Sequence, residues 1–280
     1  MRNVPGHGKR LSYYHFGTTP FFASQYDQRF SYCAYVPHDY DEDGDHEYPL
    51  VVLMHGTERG AHRYRDEFAE FCERHRCIAL APLFPVGIGT PGELDNYKFI
   101  EYEGIRFDRV LLAMVDEVAR TWRVRAERFL LHGFSGGGHF AHRFLYLHPR
   151  RLAAVSVGAP GVVTLLDTEA DFWVGVRDLE QRFGTGLDLD AVRAVAVQLV
   201  IGAEDTATWE ITIRPDGPRW MPGADRQGAN RQDRMRALRD SLERHRVKVR
   251  HDVVPGVEHD GIAVLDPVRE FFAEVLRSDG

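Results

Sequence analysis

Apolar residues recur along this chain in two alternating rhythms. Short runs at 29–36, 50–54 (LVVLM), 78–80, 129–131, 153–157, 195–201 and 247–254 are continuous or alternate by two, as strands do. Between them apolar positions return every three or four residues, as one face of a helix requires. The stripes are Tyr64, Phe68, Phe71 and His75; Val110, Met114, Val115, Val118 and Trp122; Met235, Leu238, Leu242 and His245; and Val264, Val268, Phe271, Phe272 and Val275. Strand and helix patterns in alternation predict an α/β fold with a largely parallel central sheet, each stripe covering one of its faces. The unbroken runs at 50–54 and 78–80 suit strands buried on both sides. The run at 29–36 alternates and ends at Pro37, as an antiparallel edge strand would.

Three stretches break the alternation: 84–106, 161–190 and 206–228. Each follows a predicted strand, so each would leave the sheet at its C-terminal edge, where open α/β sheets bind ligands. They are therefore expected to form a cap over a pocket. No repeat or low-complexity linker divides the chain, which reads as one unit over 1–280.

Composition narrows the partners. The net charge of −7 offers no basic field to phosphate backbones, so nucleic acid is not expected. The 32 Arg against 3 Lys are scattered rather than clustered. Residues 1–17 hold no apolar run of targeting length, and no stretch reaches a membrane span, which predicts a cytoplasmic protein without a membrane partner. Cys33, Cys72 and Cys77 lack metal-ligand spacing and fit a reducing compartment, with one disulfide left open.

The sharpest chemical signal is FLLHGFSGGG at 129–138, where Gly133-Phe134-Ser135-Gly136-Gly137 satisfies G-x-S-x-G between an apolar strand and a helix starting near Gly137. Glycines flank the serine because side chains there would collide in so tight a turn, which lifts the hydroxyl toward the pocket. A serine hydroxyl needs a base and the base an orienting acid, in the chain order Ser, acid, His. Asp205 lies just past the 196–201 strand, with Glu204 as its competitor. His259 sits in the turn-rich loop 255–261 before the last helix. Two amides must then meet the developing oxyanion. Gly136 offers one, and the loop His55-Gly56-Thr57-Glu58 offers the other, from Thr57 or, by a one-residue shift, Gly56 or Glu58.

With these residues the chain resembles the α/β-hydrolase superfamily from about Arg29 through its last helix. The resemblance implies a catalytic triad of Ser135, Asp205 and His259 and hydrolysis of an ester, lactone, thioester or amide without metal or other cofactor. The insertion at 206–228 lengthens the gap between acid and histidine, a departure that bears on the substrate. More loosely, Leu83-Phe84-Pro85, the run HFAHR at 139–143 and DTATWE at 205–210 look similar to a bacterial branch of intracellular hydrolases that includes acyl-homoserine lactonases. The expected substrate is a small ester or lactone; a peptidase, a polymer depolymerase and a silent ligand-binding module are the alternatives, and a homodimer is left open.

Aromatics crowd the insertions. Phe84, Trp173, Trp209 and Trp220, with Phe134 beside the nucleophile, are the expected substrate-binding set. Arg59, Arg63, Arg177 and Arg214 are read as solvated charge, one of which could hold a carboxylate. Three patterns are set aside: Gly87 to Gly92 spells G-x-G-x-x-G without opening a helix, Asp39 to Gly44 copies half a calcium loop without its closing glutamate, and His139 and His142 lack a third metal ligand.

Overall fold

The structure is a computed structural model that describes residues 11–278; residues 1–10, part of the stretch read for a targeting segment, lie outside the described residues. Its strands are β1 (Gly17–Thr18), β2 (Phe22–Ala23), β3 (Ser31–Val36), β4 (Tyr48–Met54), β5 (Ile78–Leu83), β6 (Glu101–Tyr102), β7 (Ile105–Arg106), β8 (Val124–Phe134), β9 (Leu152–Gly158), β10 (Ala196–Gly202) and β11 (Val249–Val254). Its helices are α1 (Ala61–Glu67), α2 (Ala69–His75), α3 (Phe107–Thr121), α4 (Gly136–Leu147), α5 (Leu179–Phe183), α6 (Leu189–Arg193), α7 (Arg231–Arg244) and α8 (Leu265–Ser278).

The main sheet runs β1-β3-β5-β4-β8-β9-β10-β11, with β2 also paired to β3; β5 through β11 along this path are parallel, and β1, β2 and β3 are antiparallel. All seven residues of β4 are buried, as its unbroken apolar run required. The strand expected at the edge is not there. β3 lies one place in, between β5 and the short β1 and β2, which supply the edge instead. α1, α2 and α8 share one face, where the Phe68 and Phe272 rings meet at 6.3 Å. On the other, the foot of α4 is tied to the start of α3 by His148 Nε2, which donates to the buried Asp108 carboxylate at 2.7 Å. The stripe from Tyr64 to His75 is two helices, not one: Phe68 leaves helical geometry (φ −96°, ψ 1°) and divides α1 from α2.

Chain order reverses between β4 and β8. The path turns from β4 outward to β5 on one side, and from β8 outward to β9 on the other, so the loops after β4 and β8 diverge and leave a crevice at their C-terminal ends. Register places Met54 opposite Gly133, which brings the loop 55–58 and the serine turn side by side. The stretches 84–106, 161–190 and 206–228 follow β5, β9 and β10 and interlock above this edge. Phe99 packs on Trp173 at 6.0 Å, Arg106 Nη1 donates to Phe183 O at 2.9 Å, and Trp173 Nε1 donates to Arg219 O at 3.1 Å. Cys33, Cys72 and Cys77 are free and buried, so the disulfide left open is not formed. Among the described residues, no helix is long and apolar enough to cross a membrane.

Candidate active site

Ser135 stands between the last residue of β8 and the first of α4 with φ 54° and ψ −114°, a left-handed conformation that costs a non-glycine residue about 1–3 kcal/mol. The surroundings hold it there. Its N–H donates to Gly158 O at 2.8 Å, at the end of β9. A Cβ on Gly133 would collide with the Gly137 carbonyl, and one on Gly137 with the carbonyls of Met54 and His55. Glycine is thus required where α4 presses against the end of β4, the close packing that the motif implies.

The loop after β4 is fixed by polar contacts. His55 Nδ1 donates to Gly56 O at 2.8 Å and its Nε2 accepts the Phe84 N–H at 3.0 Å; burial pushes this imidazole down to about 3, so it stays neutral in both roles. Arg59 donates to Thr57 O at 2.6 Å, to Phe84 O at 3.2 Å and to Leu94 O at 2.7 Å, while stacking over Tyr97. Thr57 N lies 3.1 Å from the point where a Gly136 Cβ would stand. Gly136 N is the first amide of α4, one of those a helix leaves without an internal acceptor. The two amides therefore line one niche, at a helix N-terminus that favours negative charge.

Asp205, 1% exposed, follows β10 directly, and His259 lies in the loop after β11. His259 Nδ1 donates to Asp205 Oδ2 at 2.6 Å, a bond that fixes one imidazole tautomer and turns Nε2 away from the acid. The Phe134 ring lies tilted against the imidazole at 4.8 Å, and a Cβ on Gly261 would stand 3.0 Å from that ring's Cγ. Phe134 thus spans from the serine turn to the histidine. No hydrogen bond joins Ser135 Oγ to His259 among the described residues; such contacts commonly tighten only around bound substrate.

No family model matches this chain, and no curated protein matches it. Solved structures do. A poly(3-hydroxybutyrate) depolymerase from Bordetella parapertussis matches with a TM-score of 0.71 at 24% identity, covering 94% of this chain and 95% of that one. A poly(aspartic acid) hydrolase from Sphingomonas sp. KT-1 gives 0.70 at 19%, over 91% and 97%. An S-formylglutathione hydrolase from Staphylococcus aureus gives 0.59 at 16%, over 92% and 97%. The chain has the α/β-hydrolase fold. Similarity at this level establishes architecture; chemistry rests on the site.

Within this fold, the aromatic set reads differently from expectation. Phe84 is fully buried among Phe30, His55, Tyr97, Phe107 and Phe140, so it is core behind the site rather than pocket lining. Trp173 is also buried, its ring on Phe99 and its N–H on Arg219 O. Phe134 faces the imidazole. Trp209 and Trp220 are 79% and 40% exposed, so neither lies inside an enclosed pocket. Arg59 is occupied by carbonyls rather than solvated as expected, whereas Arg177 is exposed and pairs with Asp171 at 2.7 Å on the surface.

The histidine pair on α4 is structural. His139 Nε2 accepts the Gly161 N–H at 2.8 Å and His142 Nε2 accepts that of Thr164 at 3.0 Å, which staples the 161–190 insertion to the helix. Burial holds both far below the ordinary histidine range. Among the described residues no group of three or more His, Cys, Asp or Glu is placed to hold a metal ion. Gly87, Gly89 and Gly92 all have positive φ in a turn, so that run opens no helix over a phosphate.

Sequence reasoning missed four residues here. Lys98 is nearly buried across the mouth of the niche, its Cε 3.0 Å from the Gly136 Cβ position and its Nζ on Asp95 Oδ1 at 2.6 Å; burial pushes it down to about 8. Arg143, fully buried on α4, donates to Thr164 Oγ1 at 2.8 Å and Lys98 O at 2.7 Å, tying two insertions together; burial pushes it down to about 9. Arg231 and Glu210 extend the Asp205 contact. Arg143 and Glu210 lie within the runs HFAHR and DTATWE that carry the looser resemblance, but local sequence gives neither a contact, and nothing in it separates Lys98 or Arg231 from the other scattered charges.

Proposed function

We propose that this protein is a serine hydrolase that cleaves a carboxylic ester through an acyl-enzyme, without a metal. The observation that carries the reading is a strained, positive-φ Ser135 at a strand-to-helix turn, with Thr57 N close beside Gly136 and, in a separate loop, a histidine whose Nδ1 is held by a buried carboxylate. In this scheme Ser135 Oγ attacks the carbonyl carbon while His259 Nε2 takes its proton, and the oxyanion sits between the Gly136 and Thr57 amides. The C–O bond then breaks and His259 returns the proton to the leaving alcohol. Water attacks the acyl-enzyme, with His259 as base again, releasing the acid and Ser135. Asp205 keeps the imidazole in the required tautomer and stabilises its charged form.

Labelling by a fluorophosphonate probe tests the reading: the wild type reacts, and Ser135→Ala loses both the label and at least about 10³ in turnover of a p-nitrophenyl ester while remaining folded. Turnover should persist in excess chelator. Near-normal activity in Ser135→Ala, or activity lost to chelator and restored by zinc, would overturn it.

Within esters, an extended polymer chain is favoured over an enclosed acyl lactone. Trp209, Trp220 and Leu94 stand exposed on insertions that the Arg219 to Asp95 ion pair joins, a rim suited to a chain passing across the mouth. Two of the similar structures are a polyester depolymerase and a poly(aspartic acid) hydrolase, which supports this choice.

A further inference from the structure

The acid of the triad has a second partner. Asp205 accepts from His259 through Oδ2 and from Arg231 Nη1, at 3.3 Å, through Oδ1. Arg231 is 3% exposed at the start of α7, and its Nη2 donates to Glu210 Oε2 at 2.8 Å. Its Nε is buried without a partner, so the guanidinium is committed to these two carboxylates. Glu210 belongs to the 206–228 insertion and is half exposed.

We propose that Arg231 is a positioning residue that clamps Asp205 and, through Glu210, makes the protonation of His259 depend on the 206–228 insertion. The inference rests on the hydrolase reading above for its consequence in catalysis. Its logic is charge balance. A guanidinium beside Asp205 takes part of the negative field that would otherwise stabilise imidazolium, and Glu210 draws that guanidinium away from the acid and restores some of the field. A substrate that displaced Glu210 on entering would leave Arg231 to Asp205 alone and favour the uncharged imidazole, which is the form that accepts the serine proton.

Other charges face the same place. Lys98 and Glu93 approach from the 84–106 insertion, Arg234 from the next turn of α7, and Glu204, Glu258 and Asp260 from the loops that carry the triad residues; the last three are exposed to water. None touches Asp205 as Arg231 does. The Phe134 ring lies against the imidazole at 4.8 Å.

Histidine side-chain NMR titration of the full chain tests the clamp without requiring turnover, with the His259 signal assigned by its loss in His259→Gln. Arg231→Met should raise the His259 midpoint by about one pH unit, a tenfold change in the protonation ratio. Glu210→Gln should lower it, and Arg231→Lys should restore a value near the wild type. The acid limb of the kcat/KM profile should move in the same directions. Glu258→Gln, which removes an exposed carboxylate next to His259 in sequence, should have a smaller effect than Glu210→Gln.

Shifts of the same sign in the Met and Gln variants, no shift in either, or a Glu258→Gln effect as large as that of Glu210→Gln would each overturn the proposal. If Arg231→Met fails to fold, Glu210→Gln alone decides, since its carboxylate is half exposed and the absence of a downward shift refutes the coupling. A wild type that no fluorophosphonate labels would sink the hydrolase reading and leave the titration result standing.

Discussion

Gly136→Ala is the substitution for which the site geometry makes the most specific demand. The added Cβ would meet three groups at once: it would collide with the Tyr97 hydroxyl and stand 3.0 Å from Lys98 Cε and 3.1 Å from Thr57 N. The lysine is the end of a flexible chain and can move, but Thr57 N is backbone, pinned by Arg59 on its own carbonyl and by the His55 to Gly56 contact. The niche therefore opens or tilts. Losing one oxyanion donor is worth about 2.7–4 kcal/mol, or about 10²–10³ in kcat. Because the Cβ overpacks a buried site, stability should also fall, by about 1–3 kcal/mol, while the fold is kept. Steady-state kinetics on p-nitrophenyl butyrate read the effect as a fall in kcat with KM nearly unchanged, because the lost interaction belongs to the transition state. Fluorophosphonate labelling should slow in proportion, and the urea midpoint should fall with a single cooperative transition retained. Tyr97→Phe added to Gly136→Ala removes the nearest obstacle and should recover part of the loss, although it also deletes the Tyr97 contact to His55 O at 2.9 Å. A kcat within threefold of the wild type in Gly136→Ala would refute the placement of the oxyanion beside Thr57.

Lys98 should leave a signature in stability. Burial lowers it from 10.5 to about 8, so between those values the unfolded chain holds the extra proton and wild-type stability rises with pH relative to Lys98→Met, by on the order of 3 kcal/mol at most; urea unfolding at pH 7.5 and 10 should show the two curves converging, and parallel curves would contradict it. His55, His132, His139 and His142 are all held below 6.5 by burial, so their contribution is present above that value and lost as pH falls beneath it. Each then costs about 1.4 kcal/mol per pH unit, and unfolding midpoints that stay flat from pH 7 to 5 would show that these histidines are accessible. Trp209→Ala with Trp220→Ala should leave turnover of a short soluble ester within about twofold, as exposed residues permit, and should depress release of acid from a polyester film; an equal loss on both substrates would place the pair at the catalytic centre.

Legibility in the sequence followed what each signal depends on. The strand runs and the G-x-S-x-G turn depend on neighbours in the chain, so 50–54 and 129–138 foretold β4 and the elbow at Ser135. β8 begins earlier than its apolar run because Arg125 to Arg128 extend along the sheet with their charged ends in water, a pattern that periodicity reads as loop. The helix break at Phe68 was hidden for a different reason. Its apolar stripe continues across the break, and only the backbone turns.

Phe84 and Trp173, expected to line the pocket, are buried for a reason that also bears on function. An insertion long enough to cover a pocket must first bury itself, since its ordered backbone costs entropy that few apolar contacts offset. Phe84 and Trp173 serve that need, and Arg143 serves it too, reaching from α4 to the Lys98 carbonyl and to Thr164. The residues best suited by type to grip an acyl chain are therefore consumed in holding the insertions together, and what remains toward solvent is Trp209 and Trp220 on the segment that also carries Glu210. The 206–228 insertion thus joins two exposed tryptophans, through Glu210 and Arg231, to the carboxylate that holds His259 Nδ1. A spacer added for cover alone would not need an ion pair reaching Asp205, so on the proposed reading the length of the gap between Asp205 and His259 bears on chemistry as well as on tolerance to insertion.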